Sequence, residues 1–202
     1  MNFTSPFTRL PRSLDDLMAG AESFANQRMC KPGHVNPAFF FISEDGTPGA
    51  MFFQNGEFNE AQKAWFADTC RFVAVATAAS ACCLVLEVWV STGHLPPDAD
   101  PETYEPEVMP SQNPDRQEII LIQGETREAV KSHALKIVRY DNGTFASLVA
   151  PDVPLFSTDS GWQISGRFTH LLTGVVPPPS MRAAAKVFLE LHGVQYNRLF
   201  LK

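Results

Sequence analysis

Leu14, Leu17, Met18, Ala21 and Phe24 recur at helical spacing just after Ser13, and Asp16 stands three residues beyond Ser13 as in a capping box. The pattern predicts a first helix ending near Cys30, before Pro32-Gly33. Two short aromatic runs follow, Ala38-Phe39-Phe40-Phe41-Ile42-Ser43 and Ala50-Met51-Phe52-Phe53-Gln54. Asp45-Gly46 and Pro48-Gly49 between them supply turn chemistry, so the pair reads as a hairpin. Asn59 caps a second predicted helix running to about Ala79, with Trp65, Thr69, Phe72, Val73 and Ala76 as its packing stripe. Its last two turns are apolar all round, which suits a helix buried against a sheet. The nearly unbroken apolar run from Ala81 to Val90 suits a central strand covered on both faces.

Beyond it lies a break in the pattern. Leu95 to Glu107 is acidic and proline-rich, and the whole interval from 93 to 117 reads as an insert between two buried strands. Glu118-Ile119-Ile120-Leu121-Ile122-Gln123 is the next strand, with Gly124-Glu125-Thr126-Arg127 expected to turn it. Val130 to Tyr140 reads as a strand carrying Lys131, His133 and Arg139 on one face. Asp141-Asn142-Gly143 is a hairpin turn, returning as Thr144 to Val149. Residues 151–179 are rich in Pro and Gly, with Phe156, Trp162 and Phe168 expected to pin them to the core. Ser180 is then expected to cap a last helix with Met181, Ala184, Val187, Phe188 and Leu191 on its packing face, and Gly193 to end it. Val194 to Leu201 adds a short final strand. The order α-β-β-α-β-β-β-β-α predicts one α+β domain over residues 1–202, a mostly antiparallel central sheet flanked by helices. In element order alone it resembles profilin-like and roadblock-like domains, and such a likeness carries no function.

Charge sharpens the picture of the insert. No Lys or Arg lies between Arg71 and Arg116, and the chain as a whole carries a formal charge of −6. That balance argues against wholesale nucleic-acid binding, which rests on Lys and Arg facing phosphates. The acidic stretch 96–107 could instead face a basic protein partner. The N-terminal residues lack a charged region followed by an apolar core, so no secretory signal is expected, and the apolar stretch from Phe72 to Val90 reads as a helix end joined to a strand. The expected setting is therefore the cytoplasm. Cys30, Cys70, Cys82 and Cys83 form no Cys-x-x-Cys pair and read as reduced, partly buried thiols.

No complete catalytic signature is present. Phosphate-loop, dinucleotide-fold, zincin and nucleophile-elbow patterns are all missing, and the five histidines are scattered without metal-ligand spacing. Asp98, Asp100 and Glu102 alternate like a calcium loop, but Met109 stands where the closing Glu is needed. Pro114-Asp115 with Glu125-Thr126-Arg127 is similar to nuclease patterns in which an Asp and a Glu hold a divalent metal beside a Lys. Here Arg127 replaces the Lys, and an Arg does not readily release a proton. No cofactor is implied.

The candidate site is the corner where the insert rejoins the sheet. Glu87 is a lone charge in an apolar strand and shares a face with Trp89. A charge there is costly unless paired, so Glu87 is expected within reach of an Arg, first of all Arg116, with Glu118 beside them. The candidate binding residues are Glu87, Trp89, Ser111, Asp115, Arg116 and Glu118. Glu87-Val88-Trp89, then a variable acidic stretch, then Pro110-Ser111-Gln112-Asn113-Pro114-Asp115-Arg116-Gln117-Glu118, resembles a pattern in a group of bacterial and phage proteins, as does His34-Val35-Asn36-Pro37-Ala38-Phe39-Phe40 at the first strand. The resemblance covers about residues 13–140 and implies a bacterial or phage origin, without an activity. The leading expectation is a non-enzymatic binding or accessory protein. The alternatives are a metal-dependent hydrolase or nuclease using Asp115 with nearby glutamates, and a dimerising structural domain joined through a sheet edge or the C-terminal helix.

Overall fold

The computed structural model describes residue 7 and residues 9–53, 58–90, 112–151, 168–172 and 174–199. The elements are α1 (Leu14–Cys30), β1 (Ala38–Ile42), β2 (Pro48–Phe52), α2 (Glu60–Thr77), β3 (Ala81–Val90), β4 (Gln117–Thr126), β5 (Val130–Arg139), β6 (Phe145–Val149), α3 (Pro179–Leu191) and β7 (Asn197–Arg198). The strands form one seven-stranded sheet in the order β6-β5-β4-β3-β1-β2-β7, and every neighbouring pair is antiparallel. This is an α+β fold with helices on both faces of the sheet, as the order of apolar segments predicts. The acidic stretch 96–107 lies outside the described residues, as do Asp98, Asp100, Glu102, Met109, Ser111, Phe156 and Trp162.

Local chemistry explains most boundaries. The Ser13 hydroxyl accepts from the Asp16 N–H at 3.1 Å and starts α1. Asn59 and Gln62 form a reciprocal capping box at the start of α2. The hairpin at Asp141-Asn142-Gly143 has Gly143 at φ +79°, a region open to glycine without a Cβ clash. Helix α3 departs from expectation: Pro178 is its N-cap, Pro179 opens the helix and Ser180 lies inside it. Proline suits that first position because its missing N–H has no intrahelical partner to lose.

Strand alternation sends odd and even residues of β3 to different layers. Cys83 and Val85 join Ile120, Ile122, Leu135 and Ile137 beneath Leu17, Ala21 and Phe24 of α1. Cys82, Leu84 and Leu86 face the opposite layer, against Phe66, Cys70 and Val73 of α2 and Ala185 and Leu189 of α3. Both layers are rich in Phe. Phe40 meets Phe7, Phe24 and Phe52 at ring-centroid distances of 5.4–5.8 Å on the first face, and Phe53 meets Phe58 and Phe66 at 4.9 and 5.7 Å on the second. Full burial of one such side chain contributes about 1.5–3 kcal/mol. At Gly124 the helix comes so close that a Cβ would stand 2.8 Å from Leu14 Cδ1 and 2.9 Å from Met18 Sδ.

Three expectations change. The α2 stripe holds at Thr69, Val73 and Ala76, but Trp65 is 44% exposed and Phe66 fills the core beside them. Gly124, Glu125 and Thr126 continue β4 instead of turning it, because all three pair in register with Cys83, Cys82 and Ala81. The outer face of α3 is reversed. Ala185 and Leu189 are buried, whereas Met181, Ala184, Val187 and Leu191, expected in the core, are exposed.

Candidate functional site

Two carboxyl groups meet at the end of the β3–β4 ladder. Trp89 stands opposite Glu118 and Glu87 opposite Ile120, so Glu87 and Glu118 are diagonal neighbours on the α1 face. The position lies just past the end of α1, where the connector to β1 crosses the sheet. The Val35 N–H donates to Glu87 Oε2 at 2.7 Å. Burial holds the Glu87 carboxyl above its ordinary value of 4.5; the Val35 N–H opposes this, and the adjoining Glu118 adds to it through a hydrogen bond and its charge. Glu118 moves the other way, lowered first by its hydrogen bonds to Arg139. Of the two carboxyls, Glu87 therefore holds its proton to higher pH than Glu118 does.

The cation of this cluster is Arg139. Its Nη2 and Nε donate to Glu118 Oε1 and Oε2 at 2.6 and 2.8 Å, a two-pronged pair. Its Nη1 reaches the Gly33 and Gly143 carbonyls at 3.4 and 3.5 Å, joining the α1–β1 connector to the β5–β6 turn. Arg116, the expected partner of Glu87, stands instead over the Trp89 ring, with its guanidinium carbon 4.7 Å from the centroid. The correction has a geometric cause. Arg139 ends β5, the strand beside β4, and its side chain belongs to the same face as Glu118. Lys131 and His133 share that face and meet acidic residues of α1: Lys131 pairs with Asp15 at 2.7 Å, and His133 lies 3.8 Å from Glu22.

The remaining candidates separate. Asp115 is exposed in a turn in which its N–H donates to Asn113 Oδ1 at 2.9 Å. Ser111 lies outside the described residues. Glu125 points to the opposite face of the sheet, beside Cys82, and is only 4% exposed. Its two oxygens accept from the Leu171 and Leu172 N–H groups at 3.0 Å each, while Gln123 donates to the Phe168 carbonyl at 2.8 Å. Glu125 therefore clamps the segment before α3, a role its sequence context did not announce. Among the described residues no group of three His, Cys, Asp or Glu side chains could hold a metal ion.

Two surface clefts lie among the described residues. One of about 600 Å³ borders the carboxyl cluster, with Arg139 joined by Cys30, Lys31, Gly143 and Phe145 in its lining. Another of about 520 Å³ lies at the β1–β2 turn, lined by Phe41, Ser43, Glu44, Arg182, Lys186 and Tyr196, with Arg182 held by Glu44 at 2.8 Å. None of the described helices is long and apolar enough to cross a membrane. No family model, curated protein or solved structure matches the chain, so the likeness in element order to profilin-like and roadblock-like domains has no matching structure behind it.

Proposed function

We propose that the chain is a non-enzymatic binding or accessory protein of a bacterium or phage, working in the cytoplasm. The observation that carries the reading is Trp89. This large side chain is 43% exposed, at the point where β3 leaves the sheet, with the Arg116 guanidinium stacked on it. Trp and Arg are the side chains that most often anchor a protein contact, because they combine wide apolar area with directional polar groups. The acidic stretch 96–107 follows Trp89 in the chain, so a basic partner gains attraction and an aromatic anchor from neighbouring parts of the sequence. Glu87, Glu118 and Arg139 serve to hold the platform, since their polar atoms engage one another and the local backbone.

The test is titration with a Lys- and Arg-rich peptide, read by calorimetry at two salt concentrations. Saturable binding that weakens with salt and falls at least about tenfold in Trp89→Ala supports the proposal. No binding overturns it. The metal-dependent hydrolase remains the second reading, favoured only by the closeness of Glu87 and Glu118; a rise in melting temperature on adding Mg²⁺ or Mn²⁺, lost in Glu87→Gln, would support it.

A further inference from the structure

The outer face of α3 is the apolar surface that the fold leaves without a partner among the described residues. Met181 is 48% exposed, Val187 53% and Leu191 80%, and Ala183 and Ala184 are exposed beside them. At helical spacing these side chains form one stripe along the helix. The opposite side of α3 is already anchored through Ala185 and Leu189, and Phe188 stacks on Phe72 at 4.0 Å. The helix cannot turn the stripe inward without breaking those contacts. A continuous apolar stripe on a helix with a fixed inner face marks an interaction surface.

We infer that a second copy of this chain covers the stripe, α3 lying antiparallel on α3 about a two-fold axis near Val187 and Phe188. Charge selects this occupant. Lys186 and Glu190 sit one turn apart on one flank of the stripe, both exposed, and neither makes an ion pair among the described residues. An antiparallel mate returns Glu190 to Lys186 and Lys186 to Glu190, two pairs from one surface, which is the self-complementarity a two-fold interface requires. A partner of one sign would leave one of the two charges facing its like. Side-chain size agrees, since the same pairing sets the large Leu191 of one copy against the small Ala183 and Ala184 of the other. An acidic membrane is disfavoured by the formal charge of −6. This surface lies on the face of the sheet away from the Trp89 platform, so the inference stands or falls apart from the proposed binding function.

Sedimentation equilibrium of the full chain from low to high micromolar concentration is the experiment. The expected result is an average mass that climbs from 22.3 kDa toward twice that value. Val187→Glu places a charge at the centre of the stripe without touching the core. It should raise the dissociation constant at least about 100-fold while far-ultraviolet circular dichroism stays unchanged. Glu190→Lys should weaken the dimer, and Lys186→Glu combined with Glu190→Lys should restore it, because the swap regenerates both cross-pairs. A single monomeric mass at every concentration overturns the inference. So does a dimer that Val187→Glu leaves intact, or a double swap that fails to recover what Glu190→Lys loses.

Discussion

Glu87 and Glu118 are diagonal neighbours across the β3–β4 ladder, and the two carboxyls are displaced from their ordinary value in opposite directions. Glu87, raised by burial, contributes stability that is complete below its ordinary value of 4.5 and is lost as pH rises through its raised value. Glu118, lowered by Arg139, contributes stability that is complete above 4.5 and is lost as pH falls through its lowered value. The pair is therefore most favourable between the two titrations. Gln at position 87 keeps an acceptor for the Val35 N–H and a donor for Glu118, and cannot ionise. Glu87→Gln should abolish the alkaline side of the profile and equal or exceed the native melting temperature at neutral pH, by at most about 2 °C given partial solvent screening. Thermal melts across pH read both limbs.

Arg139 holds Glu118 with two hydrogen bonds and ties Gly33 to Gly143. Arg139→Met should cost about 1–3 kcal/mol, measured by urea unfolding, because it leaves a largely buried carboxylate without its cation. The loss should shrink as pH falls, because the Glu118 carboxylate freed of Arg139 takes up a proton more readily than in the native protein. Arg139→Lys should recover only part of it, since an ammonium cannot span both oxygens.

Glu125→Ala should detach the segment around Leu171 and Leu172, whose two N–H groups lose their shared acceptor. The expected cost is about 2–4 kcal/mol. Limited chymotrypsin digestion should show earlier cleavage at Phe168 than in the native chain, because that residue packs on Phe58 and Phe66 only while the segment is held.

The four cysteines should divide one against three. Burial pushes the Cys70, Cys82 and Cys83 thiols well up, and Cys30 is exposed. A disulfide reagent added to the native protein should modify a single thiol quickly, lost in Cys30→Ser, and reach the other three only on unfolding.

The elements were legible because each advertises itself locally: Ser13, Asn59 and the Asp141-Asn142-Gly143 turn act through residues three or four apart. The site was half legible. A lone Glu87 in an apolar strand announces that a partner must exist, but the partner's identity depends on the order of strands in space. Arg116 is near Glu118 in the chain, and Arg139 reaches it only because β5 pairs with β4. Glu125 misled for the related reason that Gly124 resembles turn chemistry, whereas its missing Cβ makes room for Leu14 and Met18 of α1. The α3 stripe was found correctly and given the wrong side, because periodicity reports that a face is apolar without saying what covers it.

The position of α1 has a consequence for how the chain is made. Its apolar face packs against β3, β4 and β6 as well as β1, so most of its cover comes from sequence far downstream. A nascent chain that has emerged only through α2 holds Leu17, Ala21 and Phe24 with little more than the first hairpin to shield them. Of the described helices, α1 can thus complete its packing only after β4 has been made. Until β4 leaves the ribosome, the apolar face of that helix is covered only in part.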